Sequence, residues 1–187
     1  SAINDPPIAF ELLITLSEDT TYSDLLNAFD VENDDLLFLM LENTLHGILS
    51  ITNNSGEFNY YPNDNFFGSD SFLFSVFDGF LFDTAQVLIL VNPVNDSPIA
   101  SYLSVTTFED TQYVDSLIAQ DFDEDSLFFS LLDYPINGSI ELSNNQSGIF
   151  SYTPNINYNG LDGFSFQVSD GILADSSQVY IDVIAIN

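Results

Sequence analysis

The sequence is one pattern written twice. Asn4-Asp5-Pro6-Pro7-Ile8-Ala9 returns as Asn95-Asp96-Ser97-Pro98-Ile99-Ala100, and Glu18-Asp19-Thr20 returns as Glu109-Asp110-Thr111. Asp30-Val31-Glu32-Asn33-Asp34-Asp35-Leu36 returns as Asp121-Phe122-Asp123-Glu124-Asp125-Ser126-Leu127, and all three pairs share an offset of 91. After a one-residue insertion near Asn144 the offset becomes 92, and Tyr60-Tyr61-Pro62-Asn63 then matches Tyr152-Thr153-Pro154-Asn155. Gly68-Ser69-Asp70-Ser71-Phe72 matches Gly160-Leu161-Asp162-Gly163-Phe164, and Asp78-Gly79 matches Asp170-Gly171. A fixed period means that each copy is one structural unit. The 187 residues therefore divide into two domains of the same fold, 1–94 and 95–187. Ala2-Ile3-Asn4 also recurs as Ala185-Ile186-Asn187, which predicts a segment of a longer array.

Each copy reads as β structure. Phe72, Phe74 and Val76 alternate with Ser71, Leu73 and Ser75, and Phe164, Phe166 and Val168 alternate with Ser165, Gln167 and Ser169. That is the period of a half-buried strand. Asp78-Gly79 and Asp170-Gly171 separate apolar runs as hairpin turns do. No segment has convincing helical periodicity. About seven short strands are expected per copy, in copy one near 8–16, 21–29, 36–41, 47–51, 57–61, 70–77 and 85–91. Short strands at such spacing predict an all-β antiparallel sandwich.

The charge is extreme. The chain has 29 Asp and Glu, no Lys or Arg, and a net charge of −29. Phosphate recognition depends on Lys and Arg, so nucleic acid is not an expected partner, and neither is an anionic membrane surface. No apolar run is long enough for a membrane-spanning helix, so membrane insertion is not expected. The absence of Cys removes disulfides and thiolate chemistry. Self-repulsion of this size opposes a compact state unless cations from solution screen it. Hydrophobic residues at 45% nevertheless supply ample core.

The repeated motifs resemble those of bacterial cadherin-like, immunoglobulin-like tandem repeats found in large surface and secreted proteins. The residues that carry the resemblance are Val94-Asn95-Asp96-Ser97-Pro98, Glu-Asp-Thr, the Asp121 to Leu127 loop, Tyr-x-Pro, Gly-x-Asp-x-Phe and the late Asp-Gly. They cover essentially the whole chain. Copy one departs from the pattern at Glu32, where Asp is usual. The resemblance implies an immunoglobulin-like sandwich, calcium at domain junctions, and a stalk or adhesive role at the cell surface.

The residues make a metal argument of their own. Calcium takes six to eight oxygen ligands from carboxylates, amides and carbonyls. Asp121, Asp123 and Asp125 alternate, so an extended stretch would present all three on one side, where they repel unless a cation lies among them. In an immunoglobulin-like sandwich this loop joins the second and third strands, at the end where the linker enters. The Asp170-Gly171 turn lies at that same end, and Glu18 lies at the end of copy one facing copy two. Glu18, Asn95, Asp96, Asp121, Asp123, Asp125 and Asp170 are therefore expected to serve one junction. By the same reasoning Asn4, Asp5, Asp30, Glu32 and Asp78 would serve a junction with a preceding copy, and Glu109 and Asn187 one with a following copy. Magnesium fits less well, because it gives up its waters reluctantly.

Catalysis is not expected. His46, the only imidazole, corresponds to Asn137 in copy two, and both precede Gly, as a turn position does. The copies differ in one respect. Outward positions Leu37, Leu39, Leu73, Phe77, Leu88 and Leu90 of copy one are matched by Phe128, Ser130, Ser165, Ser169, Tyr180 and Asp182. The greasy outer face of copy one is expected to make contacts. The sequence as a whole predicts a calcium-rigidified structural segment of an extracellular array, an adhesin stalk, surface fibre or sheath. Its partners would be neighbouring copies of the same repeat, met laterally or end to end. The alternative is an adhesive module that binds glycan or protein through loops or the apolar face of repeat 1.

Overall fold

The computed structural model describes residues 4–186. Asn187 and the Ala2-Ile3 pair of the terminal echo lie outside the described residues. The chain separates into two compact units, Ser1–Val94 and Asn95–Asn187. Strand is the only regular secondary structure among the described residues.

Unit 1 contains β1 (Ile8–Ala9), β2 (Leu12–Ser17), β3 (Tyr22–Leu25), β4 (Ala28–Phe29) and β5 (Leu37–Glu42). It continues with β6 (Gly47–Ile51), β7 (Glu57–Pro62), β8 (Gly68–Phe77) and β9 (Phe82–Asn92). Unit 2 repeats the set as β10 (Ile99–Ala100), β11 (Leu103–Phe108), β12 (Tyr113–Ser116), β13 (Ala119–Gln120) and β14 (Phe128–Asp133). It closes with β15 (Gly138–Asn144), β16 (Ile149–Pro154), β17 (Gly160–Ser169) and β18 (Ala174–Ile184). In unit 1 a four-stranded sheet runs β2-β9-β8-β5 and a three-stranded sheet runs β3-β7-β6. In unit 2 the corresponding orders are β11-β18-β17-β14 and β12-β16-β15. Each unit is an immunoglobulin-like sandwich.

Two features refine the expected strand list. The single first strand expected over 8–16 is two strands, because the chain changes sheets. Ile8–Ala9 pairs with Ala28–Phe29, and after Phe10-Glu11 the segment Leu12–Ser17 joins β9 on the other sheet. The second strand is divided in the same way, its first part pairing with β7 and its last two residues with β1. The β2–β9 pairing is parallel, as is β11–β18, while the remaining ladders are antiparallel. A parallel pairing at the edge follows directly from the sheet switch, since the first strand then lies beside the last and runs the same way.

Alternation builds the core. Along β9 the pattern is strictly inward and outward, with Ala85, Val87, Ile89 and Val91 buried. Phe72, Phe74 and Val76 of β8 face Phe58 and Tyr60 of β7, and the Phe58 and Phe72 rings meet edge to face at 5.4 Å. Unit 2 reproduces this contact with Phe150 and Phe164 at 5.2 Å. Such aromatic pairs add about 0.5–1.5 kcal/mol beyond the area they bury.

Gly47 and Gly138 are fixed by close approach. A Cβ at Gly138 would lie 2.4 Å from the Tyr152 ring and 2.7 Å from the Thr153 carbonyl oxygen. Tyr152 is fully buried and cannot withdraw. Gly138→Ala should therefore destabilise unit 2 by about 2–4 kcal/mol in denaturant unfolding. A loss under about 0.5 kcal/mol would show that the ring has room to move.

Candidate metal centre

At the start of unit 2 the linker and two loops gather carboxylates. The Asn95 side-chain amide donates to Asp170 Oδ2 at 2.9 Å and to the Asp96 carbonyl at 3.0 Å. The Asp96 N–H donates to Asp123 Oδ2 at 2.7 Å. Asp121 Oδ1 accepts from the N–H groups of Asp123 at 3.0 Å and Asp125 at 3.2 Å. Carboxylate oxygens of Asp121, Asp123 and Asp125 lie within 4.8 Å of one another. The second oxygen of Asp121 is buried and accepts no hydrogen bond.

The three aspartates converge by a different route from the one expected. The segment 121–127 is not extended. Glu124 has φ 60°, in the left-handed region, and the loop curls around Asp121. Convergence comes from a turn in which the Asp121 carboxylate collects successive backbone N–H groups, a habit of short acidic side chains. Strand alternation, which motivated the expectation, plays no part.

Unit 1 repeats the hydrogen-bonded turn and the Asn–Asp contact. Asp30 Oδ1 accepts from the N–H groups of Glu32 at 2.9 Å and Asp34 at 3.0 Å, and Asn33 has φ 58°. The Asn4 amide donates to Asp78 Oδ2 at 2.9 Å and more weakly to the Asp5 carbonyl at 3.3 Å. Asp30 is only 5% exposed, yet its Oδ2 accepts nothing, and neither does Glu32 Oε2. Glu32 occupies the position of Asp123, but Asp123 Oδ2 accepts the Asp96 N–H whereas Glu32 Oε2 is buried with no donor.

The aspartates of the two Asp-Gly turns are held in their charged form. In Asp78 the Leu81 N–H is the main cause, supported by the Asn4 amide and the Phe80 N–H, and the carboxyl titrates below its ordinary value. In Asp170 the Asn95 amide is the main cause, followed by the N–H groups of Ile172 and Leu173. Each side chain thus ties its own turn to the Asn that opens the repeated motif, Asn4 or Asn95.

The Glu-Asp-Thr motif divides its labour. Glu18 is buried, and its carboxylate accepts the N–H of Val94, the last residue of unit 1. Glu109 does the same for the N–H of Ile186 at 2.8 Å. The following aspartates stay exposed and bond within their own unit, Asp19 accepting from the Asn65 N–H at 3.0 Å and Asp110 from the Asn157 N–H at 2.9 Å.

Some carboxylates that the sequence did not single out serve the fold. Asp70 accepts the N–H groups of Leu45, His46 and Ser71 and the buried Tyr60 hydroxyl. Asp162 repeats this with Ile136, Asn137 and Tyr152. Asp83 and Asp175 pin the first strands through the N–H groups of Ala9 and Ala100. The recurrence of Gly-x-Asp-x-Phe beside Tyr-x-Pro was the available signal for the first pair. His46 stacks on Phe66 at 4.3 Å, and its backbone closes the turn onto Asn63 and Asp70, in keeping with a turn position. The outward set Leu37, Leu39, Leu73, Phe77, Leu88 and Leu90 lies on the outer face of the β2-β9-β8-β5 sheet, all at least partly exposed.

Comparison with known proteins places these units. Residues 4–90 and 95–182 each match the bacterial Ig domain family. No curated protein sequence matches the chain. One crystal form of human protocadherin-24 EC1-2 is similar over 98% of this chain and 100% of that one, at 19% identity and a TM-score of 0.67. Another form gives 17% identity and a TM-score of 0.57 over 99% and 100%. An endo-fucoidan hydrolase of glycoside hydrolase family 107 is 23% identical over 97% of this chain, with a TM-score of 0.45. This chain spans only 29% of that hydrolase. At these identities the likeness is one of fold.

The Asp70 clamp has a defined pH signature. Burial alone would raise its carboxyl, but the N–H groups of Leu45, His46 and Ser71 and the Tyr60 hydroxyl hold it below the ordinary value. A lowered folded-state value means stability that is complete above the unfolded value, near pH 4, and lost as pH falls through the folded one. Asp70→Asn should cost about 2–3 kcal/mol at pH 7 and flatten the acid dependence of unfolding below about pH 4. Urea titrations of both proteins at pH 7 and pH 3 check this, and equal acid sensitivity would count against the clamp.

Proposed function

The chain belongs to the bacterial Ig domain family, with two tandem copies, and on that premise we propose that it is a calcium-rigidified structural segment of an extracellular or cell-surface array. An adhesin stalk, surface fibre or sheath would use such a segment. One observation carries the reading. Asp30 Oδ2, Glu32 Oε2 and Asp121 Oδ2 are buried without a donor, in a chain that has no Lys or Arg. A buried carboxylate oxygen with no partner costs several kcal/mol, so the compensating charge has to come from solution. Hard oxygen ligands in a curled loop suit calcium, whose coordination shell is large and flexible.

In this reading Glu18, Asn95, Asp96, Asp121, Asp123, Asp125 and Asp170 hold calcium between the two repeats. Asn4, Asp5, Asp30, Glu32 and Asp78 face a preceding repeat, and Glu109 a following one. Two features of the separate units support it. Glu18 grips the backbone at Val94, immediately before the linker. Asn95 and Asp96 are already bonded to the acidic loops of unit 2. Calcium shared by both sides and the linker would fix the angle between repeats. Without it, carboxylates repel and the linker bends. The role is mechanical, and no residue is assigned to catalysis.

Thermal unfolding in calcium and in excess chelator, at equal ionic strength, tests the proposal. A ligand at about 100 times its Kd stabilises by about 2.7 kcal/mol, which corresponds to a Tm increase of several degrees. Asp121→Asn combined with Asp123→Asn should abolish most of the increase for unit 2, and chelation should shorten the chain's maximum dimension in small-angle scattering. Identical melting and scattering in calcium and chelator would overturn the reading.

A further inference from the structure

The outer face of the β2-β9-β8-β5 sheet is unlike the rest of this molecule. Leu13 of β2 stands opposite Leu88 of β9, and Phe82 of β9 stands opposite Phe77 of β8, which in turn pairs with Leu37 of β5. Leu13 is 70% exposed and Phe82 69% exposed. Leu39, Leu41, Ser75, Phe77 and Phe82 enclose a shallow apolar recess of about 250 Å³. Ser75 is on the outward phase of β8, yet it is buried within this recess.

Charge is missing from the same face. Among the paired outward positions of the four strands, Glu42 is the only carboxylate. The chain as a whole carries one acidic residue in about every six, from 29 in 187. Unit 2 shows that the fold does not require this. At positions matching Leu13, Leu39, Leu73, Phe77 and Leu90 it has Ser104, Ser130, Ser165, Ser169 and Asp182, on the same strands in the same register. Phe128 and Tyr180 stay aromatic at the positions of Leu37 and Leu88, but the sandwich forms with the other five positions polar, so leucine and phenylalanine at those five are not a folding requirement.

We infer that this face is a contact surface for a second copy of the chain, stacked sheet to sheet. The charge distribution selects the occupant. A basic partner would be drawn to nearly any other part of this protein and would find almost no carboxylate here. A second copy has no Lys or Arg to offer and is repelled wherever carboxylates meet carboxylates, so it can approach closely only where both surfaces lack them. The area is adequate. Four strands spaced about 4.8 Å, with residues rising about 3.3 Å, make a face of roughly 20 by 25 Å, on the order of 500 Å² in projection. Standard interfaces begin near 600 Å² of accessible surface per partner, so one face gives a modest contact. Repetition along an array would multiply it. The contact is separate from the calcium reading, because it uses neither acidic loop.

Sedimentation of the 187-residue chain across concentration tests the inference, in calcium and in chelator. The expected result is a reversible dimer whose affinity rises as sodium chloride increases from about 0.05 to 0.5 M, because screening removes the long-range repulsion. Leu39→Ser, Leu73→Ser and Leu90→Asp together install the residues that unit 2 already carries, so folding should survive. This variant should dimerise at least tenfold more weakly with near-unchanged circular dichroism. The reverse transplant into unit 2, Ser130→Leu with Ser165→Leu and Asp182→Leu, should strengthen association. A wild-type chain that stays monomeric at several hundred micromolar in high salt overturns the inference, as does a triple variant that dimerises as well as the wild type. Dimerisation lost in chelator and unaffected by the triple variant also overturns it, since the acidic loops would then be making the contact.

Discussion

A protein without a single lysine or arginine must answer most of its carboxylates with something other than side-chain cations. In this chain the answer is the backbone N–H. Asp30 and Asp121 collect N–H groups from their own loops, Asp78 and Asp170 from their own turns, and Asp70 and Asp162 from a turn distant in sequence. Hydrogen bonds to charged groups are stronger than neutral ones, and carboxylates at turns can gather several at once. The acidic residues are therefore the fasteners of the sandwich. They pin first strands through Asp83 and Asp175, close turns, and bind the last segment of each repeat through Glu18 and Glu109.

The same rule defines what remains over. A carboxylate has two oxygens, and where one is committed to N–H donors the other needs a partner too. At most of the fasteners it finds one, as in Asp70, whose second oxygen takes the His46 N–H and the Tyr60 hydroxyl. In the acidic loops it does not, and Asp30, Glu32 and Asp121 each keep a buried oxygen with no donor. Fastening and the proposed metal holding would then be two uses of one side chain. The loop that curls to satisfy one oxygen leaves the other without a donor, and that leftover oxygen is what the proposed calcium site rests on.

Much of this was legible in the sequence, for a physical reason. Two copies of one fold, compared position by position, distinguish what the fold demands from what varies. The alternation of Phe72, Phe74 and Val76 with smaller residues could only be a half-buried strand, and its recurrence at Phe164, Phe166 and Val168 confirmed the phase. The sheet switch was not legible, because Phe10-Glu11 carries no proline or glycine to mark it. Nor was the route by which Asp121, Asp123 and Asp125 converge. Alternating residues suggest an extended chain, whereas the left-handed Glu124 that curls the loop has no strong sequence signature. The clamp at Asp70 was hidden for another reason. Two of its partners, the N–H groups of Leu45 and His46, are backbone groups more than twenty residues away, and backbone groups leave no trace in residue identity.

The divergence between the copies carries the last step. Inward positions are nearly interchangeable between them, Tyr60 with Tyr152 and Phe74 with Phe166, whereas outward positions are not, Leu73 with Ser165 and Leu90 with Asp182. Packing constrains the first set, since a change of even one methylene in a dense core is felt. The sandwich constrains the second set less, through cross-strand pairs alone. A surface released from folding in a chain this acidic would be expected to carry carboxylates, as the rest of the surface does. In repeat 1 it carries leucine and phenylalanine across four neighbouring strands, and this composition costs solubility. A feature that the fold does not require and that solvation opposes has its physical rationale outside the single chain, in what the face touches.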